Sequence, residues 1–194
     1  MPRQEDIKKQ CNISADIIHG DIKPHNVLIF EEEGRGYCAK VTDFSYSTVY
    51  AHPDDNISMP RSHPWDPPEQ DRNGRLWTPS EAKSMDIFSF GMLCVWFLFE
   101  ESLAYPMRVA YEAVQLQPAP SGFGSGEEME TLLGLLKSDD LLLKFADTMI
   151  NDLATIDASL AEEWREFFQR SLGTSLKDRN IDGLSLFLGA NGSR

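Results

Sequence analysis

The sequence predicts a mainly α-helical protein with a small β-hairpin near its start. Three observations carry this fold class. Two short β-type runs flank a glycine-containing turn before residue 45. Segments with apolar residues at helical spacing follow from about residue 80. Among them lies a nearly unbroken apolar run, "IFSFGMLCVWFLF", Ile87 to Phe99.

The elements follow in order. Residues 1–16 are polar and weakly patterned. "NVLIF", Asn26 to Phe30, reads as a strand, "EEEGRG" as a turn with two glycines, and "YCAKVTDF" as a second strand. Such a hairpin brings the polar run before its first strand and Asp43 after its second to the same end. Residues 44–79 are rich in proline and lack periodicity, which reads as a long loop; loops of this length are often functional. Ser80 is the expected N-cap of the next helix, with Lys83 where a capping-box glutamate would stand. The apolar run is shorter than the ~20 residues that cross a bilayer, so it reads as a helix buried on all sides. "RVAYEAVQL", "EEMETLLGLLKS", "DLLLKFADTMINDL" and "LAEEWREFFQRSL" read as amphipathic helices. "QPAPSGFGSG" reads as a connector, and "IDGLSLFL" as a short helix before a polar tail. There is no internal repeat.

Composition narrows the function. The 194 residues carry 31 acidic against 18 basic side chains, a net charge of -13. That field repels nucleic acid and anionic membranes, so neither is an expected partner. Three widely spaced cysteines without a C-x-x-C pair argue against a zinc site or a disulfide framework. The polar start, "MPRQEDIKKQ", has no apolar core and is not read as a signal peptide. With reduced thiols and no membrane-spanning run, the expected location is intracellular and cytoplasmic.

The chemistry concentrates in "HGDIKPHN", residues 19–26. A carboxylate, an ammonium and an amide stand within a few residues, directly before a strand. A solvated turn beside Pro24 needs no such set, whereas a site for phosphate and metal does. Phosphoryl transfer is helped by positioning and charge neutralisation.

"HGDIKPHN", "DFS", "PPE" and "DIFSFG", in this order, resemble the C-terminal lobe of a eukaryotic-type protein kinase of the Ser/Thr kind. The likeness covers roughly residues 17–188. It implies one partial kinase domain over 1–194, with a catalytic loop at 19–26, an activation segment at 43–69 and a helical subdomain at 80–188. It implies Asp21 as catalytic base and Lys23 as the cation on the γ-phosphate. Lys23, Asn26 and Asp43 would bind the nucleotide, and Asn26 and Asp43 would hold magnesium, so ATP and Mg²⁺ are the implied cofactors. Ser62 matches the position where a substrate hydroxyl docks, which makes a protein the implied substrate. His19 would be structural, Glu69 would pair with Arg179, and Asp86 would accept backbone hydrogen bonds from the catalytic loop. His25, His52 and His63 have no ligand-like spacing and read as surface residues.

The sequence departs from the family pattern at three points. Gly20 stands where many kinases carry an arginine that binds a loop phosphate, so switching by loop phosphorylation is not expected. Ser45 replaces a glycine, with some loss of backbone freedom. The residues before Asp21 are too few for the family's N-terminal lobe, and "GFGSG" at 122–126 reads as a linker. The fragment by itself is therefore expected to be inactive, with an apolar surface left for an upstream segment or partner to cover. A pseudokinase, acting as an interaction module without catalysis, is the alternative. A small-molecule kinase of the aminoglycoside or choline type is a third reading. Lys23, "WDPPE" and "DIFSFG" favour a protein kinase over that third reading.

Overall fold

The computed structural model describes residues 17–32, 36–70, 74–99, 126–138, 140–154 and 157–182. Two small antiparallel sheets stand beside a helical body. The expected segments "RVAYEAVQL", "QPAPSGFGS" and most of "IDGLSLFL" lie outside the described residues.

Strand β1 (Ile17–Ile18) pairs with β4 (Thr48–Val49), Ile17 opposite Val49 and Ile18 opposite Thr48. A two-residue strand has no readable alternation, so the sequence carried no sign of this pair. Strands β2 (Val27–Glu32) and β3 (Gly36–Val41) form the expected hairpin, in register from Val27–Val41 to Glu32–Gly36. Its bounds differ from the expected ones for local reasons. Pro24–Asn26 is a 3₁₀ turn, which delays β2 to Val27. At the other end Thr42 N turns to donate to Asn26 O at 2.8 Å, so β3 stops at Val41. Glu31 and Glu32, read as turn residues, pair with Tyr37 and Gly36.

Helix α1 (Pro79–Phe99) begins earlier than expected. Thr78, not Ser80, is its cap. Glu81 N donates to Thr78 Oγ1 at 3.3 Å, and Thr78 N donates to Glu81 Oε2 at 2.9 Å. This is a complete capping box, and Pro79 occupies a first-turn position where no N–H is missed. Lys83 plays no part in it; its ammonium lies over the Tyr50 ring. With 21 residues and a window of mean hydropathy 1.4, α1 is long and apolar enough to cross a membrane, but half of that window is buried against the rest of the chain. Nor is it buried on all sides, since Phe97 is 62% exposed.

Helices α2 (Gly126–Ser138), α3 (Leu142–Ala154) and α4 (Ala158–Ser171) complete the described body. Phe88, Met92 and Val95 of α1 pack with Leu133, Phe145 and Phe168 in one continuous core. Gly91 lets α1 and α4 approach closely; a Cβ there would stand 2.6 Å from Ser171 Oγ. A smaller core of Ile18, Ile57, Trp77, Ala82 and Met85 fastens β1 to the start of α1. The proline-rich segment between them is ordered by point contacts. Ile57 and Trp77 exchange both backbone hydrogen bonds, at 2.8 and 2.9 Å. The Asp55 carboxylate accepts from the N–H groups of Ala51 and His52.

Candidate functional site

The site is assembled where the loop after β1 meets α1. Asp86, in the second turn of α1, accepts His19 N at 2.6 Å and Gly20 N at 2.9 Å. Burial pushes its carboxyl above the ordinary aspartate range, against the pull of these two bonds. His19 then spans the loop. Its Nδ1 accepts from Asp21 N at 3.3 Å and its Nε2 donates to Thr42 O at 3.1 Å. One neutral tautomer serves both bonds. Gly20 sits at φ +81°, and a Cβ there would meet Tyr46 O at 3.1 Å and Pro60 Cδ at 3.4 Å. A left-handed residue pressed by backbone and ring suits glycine.

Asp21 follows, 4% exposed. Its Oδ2 receives Lys23 Nζ at 2.8 Å and Asn26 Nδ2 at 2.9 Å. Asn26 Nδ2 also donates to Asp21 O at 2.8 Å. Both amide N–H groups of Asn26 are thereby spent on Asp21, which leaves its amide oxygen for another partner. Lys23 Nζ reaches on to Ser62 Oγ at 3.3 Å. Burial is the largest influence on the Asp21 carboxyl and raises it. Hydrogen bonds from Lys23, Ser62 and Asn26 together outweigh burial and hold it below the ordinary range.

Asp43 comes from the other end of the hairpin, directly after Thr42, which is tied to Asn26 O through N at 2.8 Å and Oγ1 at 3.2 Å. It lies at φ 62°, a left-handed conformation that aspartate tolerates better than most residues. Its exposed carboxylate accepts Ser45 N at 3.3 Å. Hydrogen bonding from Ser45 lowers its carboxyl, and the Asp21 charge opposes this.

His19, Asp21, Lys23, Asn26 and Ser62 thus form one hydrogen-bonded network, with Asp43 at its edge. Glu69 and Arg179 meet elsewhere. Arg179 Nη2 donates to Glu69 Oε2 at 2.9 Å, and Nη1 bonds Oε1. The guanidinium also donates to Gly173 O at 2.7 Å and lies over the Phe88 ring. Its side chain has no exposure, and the Glu69 carboxylate is 19% exposed. His25, His52 and His63 are exposed.

Three neighbours of the site, Asp66, Lys137 and Gln70, were given no role by the sequence. Asp66, 4% exposed, is held by Lys137 of α2. Lys137 Nζ donates to Pro64 O at 2.8 Å, Asp66 O at 2.7 Å and Asp66 Oδ1 at 2.9 Å. Burial lowers the Lys137 ammonium from its ordinary value, although Asp66 supports the charge. Gln70 Nε2 donates to Met59 O at 2.9 Å and also to Pro60 O. Asp66 falls inside the "WDPPE" stretch and Gln70 directly after it, but nothing in that stretch names the carbonyls of Met59 and Pro60 or the distant Lys137 as their partners.

Among the described residues no cluster of three or more His, Cys, Asp or Glu could hold a metal by itself. Among the described residues the Asn26 amide oxygen and the Asp43 carboxylate, whose Oδ1 accepts from Ser45 N, offer oxygen ligands at the site. Such a pair suits a hard cation that keeps water and phosphate oxygens in its shell.

Comparison with known proteins gives the same direction. Residues 10–120 match the protein kinase domain. A probable serine/threonine-protein kinase, gdt8 of Dictyostelium discoideum, is 34% identical over 79 residues, which are 41% of this chain and 6% of that protein. A second from the same organism, ireA, is 36% identical over 86 residues, 44% of this chain and 8% of its own. The matched segment therefore spans less than a tenth of either relative. Protein kinases move phosphate from ATP with the help of magnesium, and it is to the protein kinase family that this chain belongs.

Proposed function

We propose that the chain forms the acceptor side, the C-terminal lobe, of a serine/threonine protein kinase. The catalytic loop is residues 19–26, the activation segment 43–69 and the helical subdomain 80–188. The observation that carries the reading is the Asp21 carboxylate, 4% exposed, held below the ordinary aspartate range by its hydrogen bonds against the pull of burial, and aimed by Lys23 and Asn26. Asp21 accepts the proton of a protein Ser or Thr hydroxyl that docks beside Ser62. Lys23, with two of its three N–H groups on Asp21 and Ser62, has one left for a phosphate oxygen. Asn26 and Asp43 are the residues that would hold magnesium, which when bound neutralises charge on the transferring phosphates. An intracellular location and a protein substrate follow from this activity.

The nucleotide's other wall would come from an upstream segment or a partner. Leu28 and Ile29 of the hairpin are 58% and 59% exposed, and Tyr37 is 80% exposed. Between hairpin and α1 lies a cavity of about 440 Å³, mostly apolar, lined in part by Val27, Ile29, Tyr37, Phe90 and Leu93. Those exposed groups also support a second reading, an interaction module without catalysis.

The test uses a longer protein that contains this segment, with Mg-ATP and a generic protein substrate. Asp21→Asn should lower turnover about 10²- to 10⁴-fold with nucleotide affinity little changed. Equal turnover in wild type and variant removes the catalytic assignment. Nucleotide binding without turnover in either supports the interaction module.

A further inference from the structure

Arg61 is out of keeping with its setting. The chain carries a net charge of -13, yet this guanidinium, 43% exposed, stands beside Ser62 and, among the described residues, bonds through Nε to Asp66 Oδ2 at a long 3.4 Å. Asp66 does not need it, because Lys137 already holds the same carboxylate at 2.9 Å. Glu69 also acts on Lys137 but is engaged by Arg179, so among these described groups Asp66 stands between two cations, and Arg61 is the one that faces solvent. His63, on the other side of Ser62, is 63% exposed and 4.0 Å from Asp66 Oδ1.

Ser62 lies within the network of Asp21 through Lys23. Arg61 and His63 therefore flank, by one Cα step of about 3.8 Å each, the place where an acceptor hydroxyl would sit. An extended peptide advances about 3.3–3.6 Å per residue. Residues one to three positions from the acceptor would pass over these two side chains. We propose that this surface selects Ser/Thr segments with Asp or Glu within about three residues of the hydroxyl. The inference rests on the reading of Asp21 as the base beside the acceptor. Glu130 of α2 supplies the opposing charge: with His63 and Pro64 it lines a neighbouring cavity of about 350 Å³. If Glu130 governed instead, basic segments would be preferred.

The test is fluorescence anisotropy of the 194-residue chain with short, otherwise neutral serine peptides carrying Glu, Ala or Lys beside the serine. The expected order is Glu, then Ala, then Lys, with about two- to five-fold between Glu and Ala, the size of a part-exposed ion pair. About 0.5 M salt should erase the difference. Arg61→Gln should erase it as well, while Arg61→Lys keeps it, which separates charge from folding. Tighter binding of the Lys peptide, a Glu preference that survives Arg61→Gln, or no peptide binding overturns the proposal. Ranking without regard to charge, alongside an Asp21→Asn loss of turnover, removes the selectivity alone. A Glu preference lost in Arg61→Gln, alongside normal Asp21→Asn turnover, removes the catalytic reading and leaves the surface.

Discussion

The helical body and the β2–β3 hairpin treat their apolar side chains in opposite ways. Phe88, Phe145, Phe167 and Phe168 in the body are at most 2% exposed, whereas Leu28, Ile29 and Tyr37 in the hairpin are more than half exposed. The body holds itself together by burial, at roughly 1.5–3 kcal/mol for each large side chain. A lone two-stranded hairpin is marginal in water, and this one is anchored at its base by polar ties between Thr42 and Asn26. Stability and candidate chemistry thus reside in different parts. The body fixes Asp86 and hence the loop, while the hairpin carries Asp43 on a ledge with much of its apolar surface uncovered.

Three substitutions break or sharpen this contrast. The largest effect is expected from Arg179→Ala, which strips the bonds to Glu69 and Gly173 and leaves a carboxylate only 19% exposed without its partner. The expected loss is about 3–5 kcal/mol, read from urea unfolding. A loss below about 1 kcal/mol would mean that the segment ending at Glu69 is not fastened to the body in this way. Gly91→Ala comes next. Its methyl would meet Ser171 Oγ at 2.6 Å and Leu172 Cδ2 at 2.8 Å, and overpacking of this kind costs about 1–3 kcal/mol. A neutral result would show that α1 and α4 can separate freely. The smallest effect belongs to Tyr37→Ser on the hairpin, within about 0.5 kcal/mol of wild type. A larger drop in melting temperature would show that the hairpin contributes to the core after all.

The Glu69–Arg179 pair and the Asp86 bonds to the loop, 110 and 67 positions apart, were legible only through the family resemblance; the parts legible from the residues themselves share one property, contiguity. His19 through Asn26 form one run, and a single turn-forming stretch brings Asp43 back to it. Helices α2, α3 and α4 announce themselves by spacing over three or more turns. The Thr78 cap was also present in the letters, as "TPSE", but Ser80 offered a competing cap two residues on; Pro79 at the first helical turn is the feature that decides between them. What was not legible is long-range and solitary. Lys137 and Asp66 are 71 positions apart, and nothing near either residue marks it as half of a pair. The β1–β4 pairing is only two residues long, and its stability comes from the small core beneath it rather than from any pattern of its own.

Lys137 carries a consequence of another kind. Each of its three ammonium protons has a separate acceptor, two carbonyl oxygens and a carboxylate. A tetrahedral head can address three such directions from one atom, while the flat fork of an arginine spreads its donors in a plane over several atoms. At this position the two basic residues are not interchangeable. What α2 supplies to the neighbourhood of Ser62 is a shape, and the charge alone would not reproduce it.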